Sequence, residues 1–246
     1  MKLLQVQILL VILVLVGCND KDAYDCIKKT GRVKEYQIEL TESFERLHIT
    51  SNIDVDLVQG GEQEVLLVTG ENLVDEIEVV VENGELVFQN NNTCNWAREY
   101  GVTRLKITTP ELSQVVFESG GTLRSMNTLS FPDLVLDSKE SSGDYILDID
   151  ANSLKVITKR ISNFYITGKV NELNLDFQTG DGRFYGENLI AQNITFYHNG
   201  TNDVMVYPVQ SLQGTIDRYG NVIYYNEPAS APNVETLSKG RLVRGF

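Results

Sequence analysis

The sequence predicts an all-β chain wound as a parallel β-helix, and three observations carry that prediction. From about residue 112 onward, short runs of alternating apolar residues recur around turns. These are Ser142-Gly143-Asp144, Ser162-Asn163-Phe164, Asp181-Gly182-Arg183, Thr201-Asn202-Asp203, Tyr219-Gly220-Asn221 and Lys239-Gly240-Arg241. The turn centres lie 20, 19, 20, 18 and 20 residues apart, a period at which each repeat buries its core only by stacking on its neighbours. Leu134, Leu154, Leu173, Ile194 and Leu212 precede the centres by nine or eight residues, and Tyr145, Tyr165, Phe184, Val204 and Val222 follow by two. Both series are apolar, so two interior columns are expected over about seven coils, a rod of roughly 30 Å at ~4.8 Å per coil. Gly or Asn at the corners is expected to supply φ > 0. A β-sandwich is the alternative, but its strands would not keep so even a period.

The elements before the ladder follow in order. Lys2 precedes an unbroken apolar run of nine residues at 8–16, too short to span a bilayer, which needs about 20, and suited to a secretory signal. The run ends Leu15-Val16-Gly17-Cys18, which resembles a bacterial lipobox. The expectation is a signal peptide at 1–17, lipidation of Cys18, and a polar tether over 18–32. Asn19-Asp20-Lys21-Asp22 resembles the export signal of surface-exposed Bacteroidetes lipoproteins. The expected location is the outer membrane at the cell surface, with a periplasm-facing anchor as the alternative.

Residues 33–109 read as strands and turns with antiparallel pairing. Ile53, Val55 and Leu57 alternate with polar residues, as in a half-buried strand. Gln59-Gly60-Gly61-Glu62 makes a turn before a strand over 64–69. Ile77, Val79 and Val81 lead through Asn83-Gly84 into 86–88, and Asn-Gly between alternating runs marks a hairpin. Residues 89–103 are Asn-rich and irregular, and hold Cys94 and Trp96. The β-helix occupies 110–245.

Of the 3 cysteines, Cys18 is assigned to lipid, which leaves Cys26 and Cys94. An extracytoplasmic location permits a bridge between them; two unpaired thiols are the alternative. Net charge is −13 without a Lys/Arg cluster interleaved with aromatics, so nucleic acid is not an expected partner.

The residues now carry a family likeness. The run Asp25-Cys26-Ile27-Lys28-Lys29-Thr30-Gly31 resembles the entry of the autotransporter-adhesin head, or GIN, domain family. Phe44-x-x-Leu47-x-Ile49 with Ile53-x-Val55-x-Leu57, and Asn92-Thr93-Cys94-Asn95-Trp96, resemble its body. Its Gly-Ser-Gly-Asp turn is similar to Ser141-Ser142-Gly143-Asp144. In other coils Asn163 and Asn202 stand for the glycine and Arg183 for the aspartate. The resemblance implies a right-handed parallel β-helix packed on an N-terminal antiparallel β portion, with 33–245 as one GIN-like domain. It also supports the Cys26–Cys94 bridge and brings no catalytic residues.

An enzyme would need clustered carboxylates, and Asp144, Asp148, Asp150 and Asp176 with Lys155, Lys159 or Arg160 are the candidates. No nucleophile, zinc or phosphate motif accompanies them. Asp176, Asp181 and Asp203 are the calcium candidates, without an RTX-type repeat. Neither metal nor cofactor is expected. His198 is expected to cap the core edge, and His48 to face solvent. The favoured site is an outward stripe one residue beyond the inner aromatic column: Ile146, Ile166, Tyr185, Met205 and Ile223, with Tyr207 and Tyr225 beside it. Such a stripe marks a partner surface when exposed; a neighbouring segment covering it is the alternative. The expected function is a non-enzymatic binding or adhesion module of the cell envelope. It would be held to the membrane by lipid and would meet a glycan, matrix or an envelope or host protein. A structural scaffold and a polysaccharide-active enzyme are the alternatives.

Overall fold

The computed structural model describes residues 25–92, 94, 98, 101–138 and 140–246. The leader, Cys18, the 19–22 signal and Trp96 lie outside the described residues. In chain order the strands are β1 (Val33–Ile38), β2 (Arg46–Ile49), β3 (Asp54–Gln59), β4 (Glu64–Gly70), β5 (Ile77–Glu82), β6 (Glu85–Asn90), β7 (Arg104–Thr109), β8 (Gln114–Phe117) and β9 (Thr122–Ser125). They continue as β10 (Asp133–Ser138), β11 (Asp144–Thr158), β12 (Asn163–Phe177), β13 (Arg183–His198), β14 (Val204–Ile216), β15 (Val222–Tyr224), β16 (Asn233–Thr236) and β17 (Leu242–Arg244).

Each long strand from β11 to β14 bends midway and gives one arm to each of two faces. The first face stacks β3, β9, the first arms of β11 to β14, β15 and β17, all parallel. The second stacks β2, β8, β10, the second arms and β16. The result is a β-solenoid of about 6 turns, close to the coil number expected.

Antiparallel pairing among the described residues is limited to β1–β4, β4–β7 and β5–β6. The Asn83-Gly84 hairpin is formed, with φ of 53° and 73°. By contrast β6 lies parallel on β2, and β7 on β3. The β2–β3 coil is therefore held between the later β6–β7 and β8–β9 coils. The two faces run unbroken across residue 109.

The second-face column stands as expected: Leu134, Leu154, Leu173, Ile194 and Leu212 are in register and buried. The first-face column differs by one residue in one coil. Leu123, Tyr145, Phe164, Phe184, Val204 and Val222 align and are buried. Phe164 is 0% exposed and Tyr165 39%. The cause is the corner: Asn163 pairs with Asp144 and Arg183, so Ser162 holds the glycine place. A one-residue slip exchanges the two sides of a strand, and it also puts Ile166 inside. Tyr145 stacks on Phe164 at 4.5 Å. Phe177, from the opposite face, meets Phe164 and Phe184 edge-on at 6.0 and 6.4 Å.

The corner glycines also have a different cause from the one expected. Gly143 and Gly220 are not among the residues with positive φ. A β-carbon at Gly143 would sit 2.4 Å from the Gly121 carbonyl oxygen, and one at Gly220 2.1 Å from that of Asn202. Close approach between successive coils, rather than handed backbone, selects glycine there.

His198 lies in the interior between Phe177 and Ile216 of the adjacent coils, with its ring edge-on to Phe177 at 5.8 Å. Burial pushes its pKa below the ordinary value, opposed by the Asn202 backbone and the Asp203 charge. His48 is half-exposed beside Glu118 at 3.7 Å.

Two outcomes test this packing. Phe164→Ala should cost about 3–5 kcal/mol in urea denaturation and Tyr165→Ala under about 1 kcal/mol; the reverse ranking would restore the other register. For His198, the folded protein resists a proton that the unfolded chain accepts at about 6.5. Its contribution is therefore complete above about pH 6.5 and is lost as pH falls toward the lowered folded value. The fall in stability between pH 7 and 5 should be shallower in His198→Phe, measured by thermal melts across that range.

Candidate binding face and N-terminal clamp

Strand alternation turns every second residue of the first arms outward, and parallel register stacks these residues into columns. The central outward column runs Lys106, Asp56, Arg124, Ile146, Tyr165, Tyr185, Met205, Ile223 and Val243. It is charged toward the β7 end and apolar from β11 onward. Ile146 is 41% and Val243 39% exposed, and Tyr185, Met205 and Ile223 are half-exposed. The stripe is thus open along its length, with Tyr165 rather than Ile166 as its second member. Tyr165 and Tyr185 stack face to face at 4.6 Å with ring planes 3° apart. The facing sides of the two rings cover each other, and the Arg183 guanidinium donates to the Tyr185 hydroxyl at 3.4 Å. Desolvation, with the neighbouring Tyr185 and Asp144, raises the Tyr165 pKa.

Tyr207 and Tyr225 flank the stripe and are half-exposed. Register shifts between Gly186 and Ile190 bring Tyr207 opposite Ile190, and the Tyr225 hydroxyl reaches the Met205 sulfur at 3.9 Å. On the other side lies a polar column of Asp144, Asn163, Arg183, Asp203, Asn221 and Arg241. Asn163 Nδ2 donates to Asp144 at 2.9 Å, Asn221 Nδ2 to Asp203 at 3.0 Å, and Arg183 to Asn202 at 3.3 Å.

The candidate catalytic carboxylates are divided between the two faces, and each is engaged by a neighbouring side chain. Asp144, Asp148 and Asp150 lie on the first face and Asp176 on the second. Asp148 accepts from Thr128 at 2.5 Å, Asp150 pairs with Lys169 at 3.0 Å, and Asp176 accepts from Gln178 at 2.8 Å. The Arg160 guanidinium binds Glu140 at 2.9 Å. Asp181 accepts from Thr201, and Asp203 from Asn221. Among the described residues no group of at least 3 His, Cys, Asp or Glu is placed to hold a metal ion.

At the other end of the molecule a clamp holds the start of the described chain. Cys26 and Cys94 form a disulfide with 4.6 Å between Cα atoms. The buried Arg98 guanidinium donates to the Lys28 carbonyl at 3.1 Å, to Asn92 at 3.2 Å, and to both the carbonyl and carboxylate of Asp25. Asp25 also accepts from the Cys94 amide at 2.8 Å. Asn72 donates to the Lys29 carbonyl at 3.1 Å. Beyond the clamp, Lys34 and Arg32 converge on Glu71 and hold its carboxyl at about 2. Nothing in the sequence pattern singled out Arg98; an arginine within an irregular loop carries no periodic signal.

A two-faced β-solenoid with an apolar outward stripe and a clamped entry segment defines the class: a ladder-built all-β domain. The chain belongs to the family described as "Putative auto-transporter adhesin, head GIN domain", whose model matches residues 43–228. Among solved structures it is similar to one titled a putative adhesin from Bacteroides fragilis, at 15% identity and TM-score 0.79, over 88% of this chain and 99% of that one. A putative adhesin from Parabacteroides distasonis is similar at 13% identity and TM-score 0.67, over 88% and 99%. A protein titled a putative lipid binding protein, also from Parabacteroides distasonis, is similar at 14% identity and TM-score 0.65, over 89% and 99%. At these identities the likeness is one of fold. A search of curated proteins finds no match. Among the described residues no helix is long and apolar enough to cross a membrane.

The clamp yields a test. In a chain-entropy estimate, a bridge closing a loop this long stabilises by about 4 kcal/mol. The Cys26→Ser/Cys94→Ser variant should unfold at lower urea concentration by an amount equivalent to about 2–4 kcal/mol. Unchanged midpoints would show that Arg98 and Asn72 hold the segment without the bridge.

Proposed function

We propose that the protein is a non-enzymatic adhesion module of the cell envelope, anchored by lipid at Cys18 and binding a macromolecular partner through the β11–β17 face. The observation that carries this reading is the open stripe of Ile146, Tyr165, Tyr185, Met205, Ile223 and Val243. Contiguous apolar side chains on a soluble surface cost solvation and mark interaction sites. The opposite outer face sets the contrast: after Val135, Lys155, Asn174, Thr195, Gln213 and Asn233 line up there, so the coil architecture does not itself demand an apolar exterior. The closed Tyr165–Tyr185 stack leaves few ring faces for a sugar to lie on, which favours a protein partner over a glycan. Family membership supports the adhesion reading. The space between the two faces is filled by the stacked columns, so an apolar ligand would have to lie on the stripe.

Two measurements test the proposal in cells making the full-length protein. Protease added to intact cells should remove it; resistance until the outer membrane is broken would assign a periplasm-facing anchor. Tyr165→Ala/Tyr185→Ala should lower adherence to a panel of immobilised matrix proteins and polysaccharides at least tenfold while leaving the thermal midpoint within a few degrees. Undiminished adherence across the panel would leave a structural scaffold as the better reading.

A further inference from the structure

The charges beside the stripe are ordered in a way that random solvation does not require. At the corner ends of β11, β12, β13, β14, β15 and β17 the polar column reads Asp144, Asn163, Arg183, Asp203, Asn221, Arg241, the last three standing one residue before their strands. Reversing it about its midpoint between β13 and β14 places Arg183 opposite Asp203, Asn163 opposite Asn221, and Asp144 opposite Arg241. Every charge meets its opposite and every amide meets an amide. The same reversal of the central column places Tyr185 opposite Met205, Tyr165 opposite Ile223, and Ile146 opposite Val243. Every apolar residue meets an apolar residue.

We propose that this face docks on the same face of a second copy of the chain, through a two-fold axis that runs along the strands between β13 and β14. Such an axis keeps each column facing itself and reverses its order, so the two rods lie antiparallel with their sheets face to face. An isologous contact demands this self-complementarity, and sheets packed in this way stand about 10 Å apart. The patch is about 24 Å long at ~4.8 Å per strand. Two such faces bury on the order of 1,000 Å², the lower bound for a specific contact. The chain's net charge of −13 opposes self-association elsewhere. Here Asp144 and Asp203 are balanced by Arg183 and Arg241, and like charges do not meet. The second face lacks this balance: Asp133, Asp137, Glu172, Asp176 and Glu235 stand on its strands against Arg46 and Lys155.

The proposal rests on the reading of the stripe as a binding surface and names its occupant. It is tested by co-expressing two differently tagged full-length copies and capturing one from a detergent extract. Wild type should capture wild type. Arg183→Asp should capture its own variant at least tenfold less, since position 183 then faces Asp203 with like charge. Asp203→Arg should fail equally against itself. Arg183→Asp paired with Asp203→Arg should recover capture, because both cross-copy contacts are again between opposite charges. Neither chain carries both changes, so repair within one chain cannot produce the recovery. Absence of wild-type capture, or equal capture in all pairings, overturns the proposal. Adherence of the Tyr165→Ala/Tyr185→Ala cells separates it from the broader reading. Lost adherence without wild-type self-capture leaves the binding face standing and removes only the second copy as its occupant. Undiminished adherence without self-capture removes both.

Discussion

Backbone hydrogen bonds that run along the solenoid axis hold each coil at a fixed height and in fixed register on the next. That constraint determines which residues become neighbours. Asp144 to Thr158 pairs with Asn163 to Phe177, interrupted only at the bend, and β12 pairs with β13 over the same two arms. In such a ladder like positions must stack. An inward apolar residue in one coil needs an apolar residue above and below it, and an outward one inherits neighbours that its own strand does not choose. The Tyr145–Phe164–Phe184 ring column and the Tyr165–Tyr185 stack arise from this one rule on opposite sides of the same strands. The first stabilises the core by burial; the second can only serve the surface.

The same constraint separates what was legible in the sequence from what was not. The period and the Leu134-to-Leu212 column could be read directly, since in every coil those residues keep a near-constant distance from the turn. The Asn83-Gly84 hairpin was legible because its conformation is local. Tyr165 was misplaced because Phe164 and Tyr165 stand side by side after the turn, and only the pairing of Asn163 with Asp144 decides between them. Spacing alone carries an error of one residue, and in a strand one residue is the whole difference between inside and outside. The order of the first coils was hidden for another reason. Placing β6 and β7 on the far side of β2 and β3 is a choice between two equivalent edges of a parallel pair, and neither edge leaves a mark in local alternation.

The corners show how tightly the ladder is spaced. Gly143 would put a β-carbon within 2.4 Å of a carbonyl oxygen in the coil below, and Gly240 within 2.2 Å of Gly220. Where the corner residue is Ser162 or Asn202 the chain must take a different local path. Side chains then share in closing the turn, as Asn202 does by donating to the Asp181 carbonyl at 2.6 Å. The corners are therefore a set of separate solutions to one packing problem, and a ligand reading them in series would meet no repeated chemistry. The outward stripe of the first face is more uniform than the corners, because outward positions are free of this steric demand and can keep one chemical character over many coils.

A ladder-held stripe also explains why binding belongs on the arms rather than on the loops. Side chains on paired strands have already lost most of their conformational freedom in folding, so little more is lost when a partner settles on them. The Tyr165 and Tyr185 rings restrict each other further through their stacking. At the entry end, the Cys26–Cys94 bridge and Arg98 fix Asp25, Cys26 and Lys28 in place. If the chain is held to a membrane through Cys18, any pull on the anchor reaches the fold at this covalent and charged clamp before it reaches β1. The load then enters a part of the molecule remote from the stripe, and β11 to β17 can keep the register on which the stripe depends.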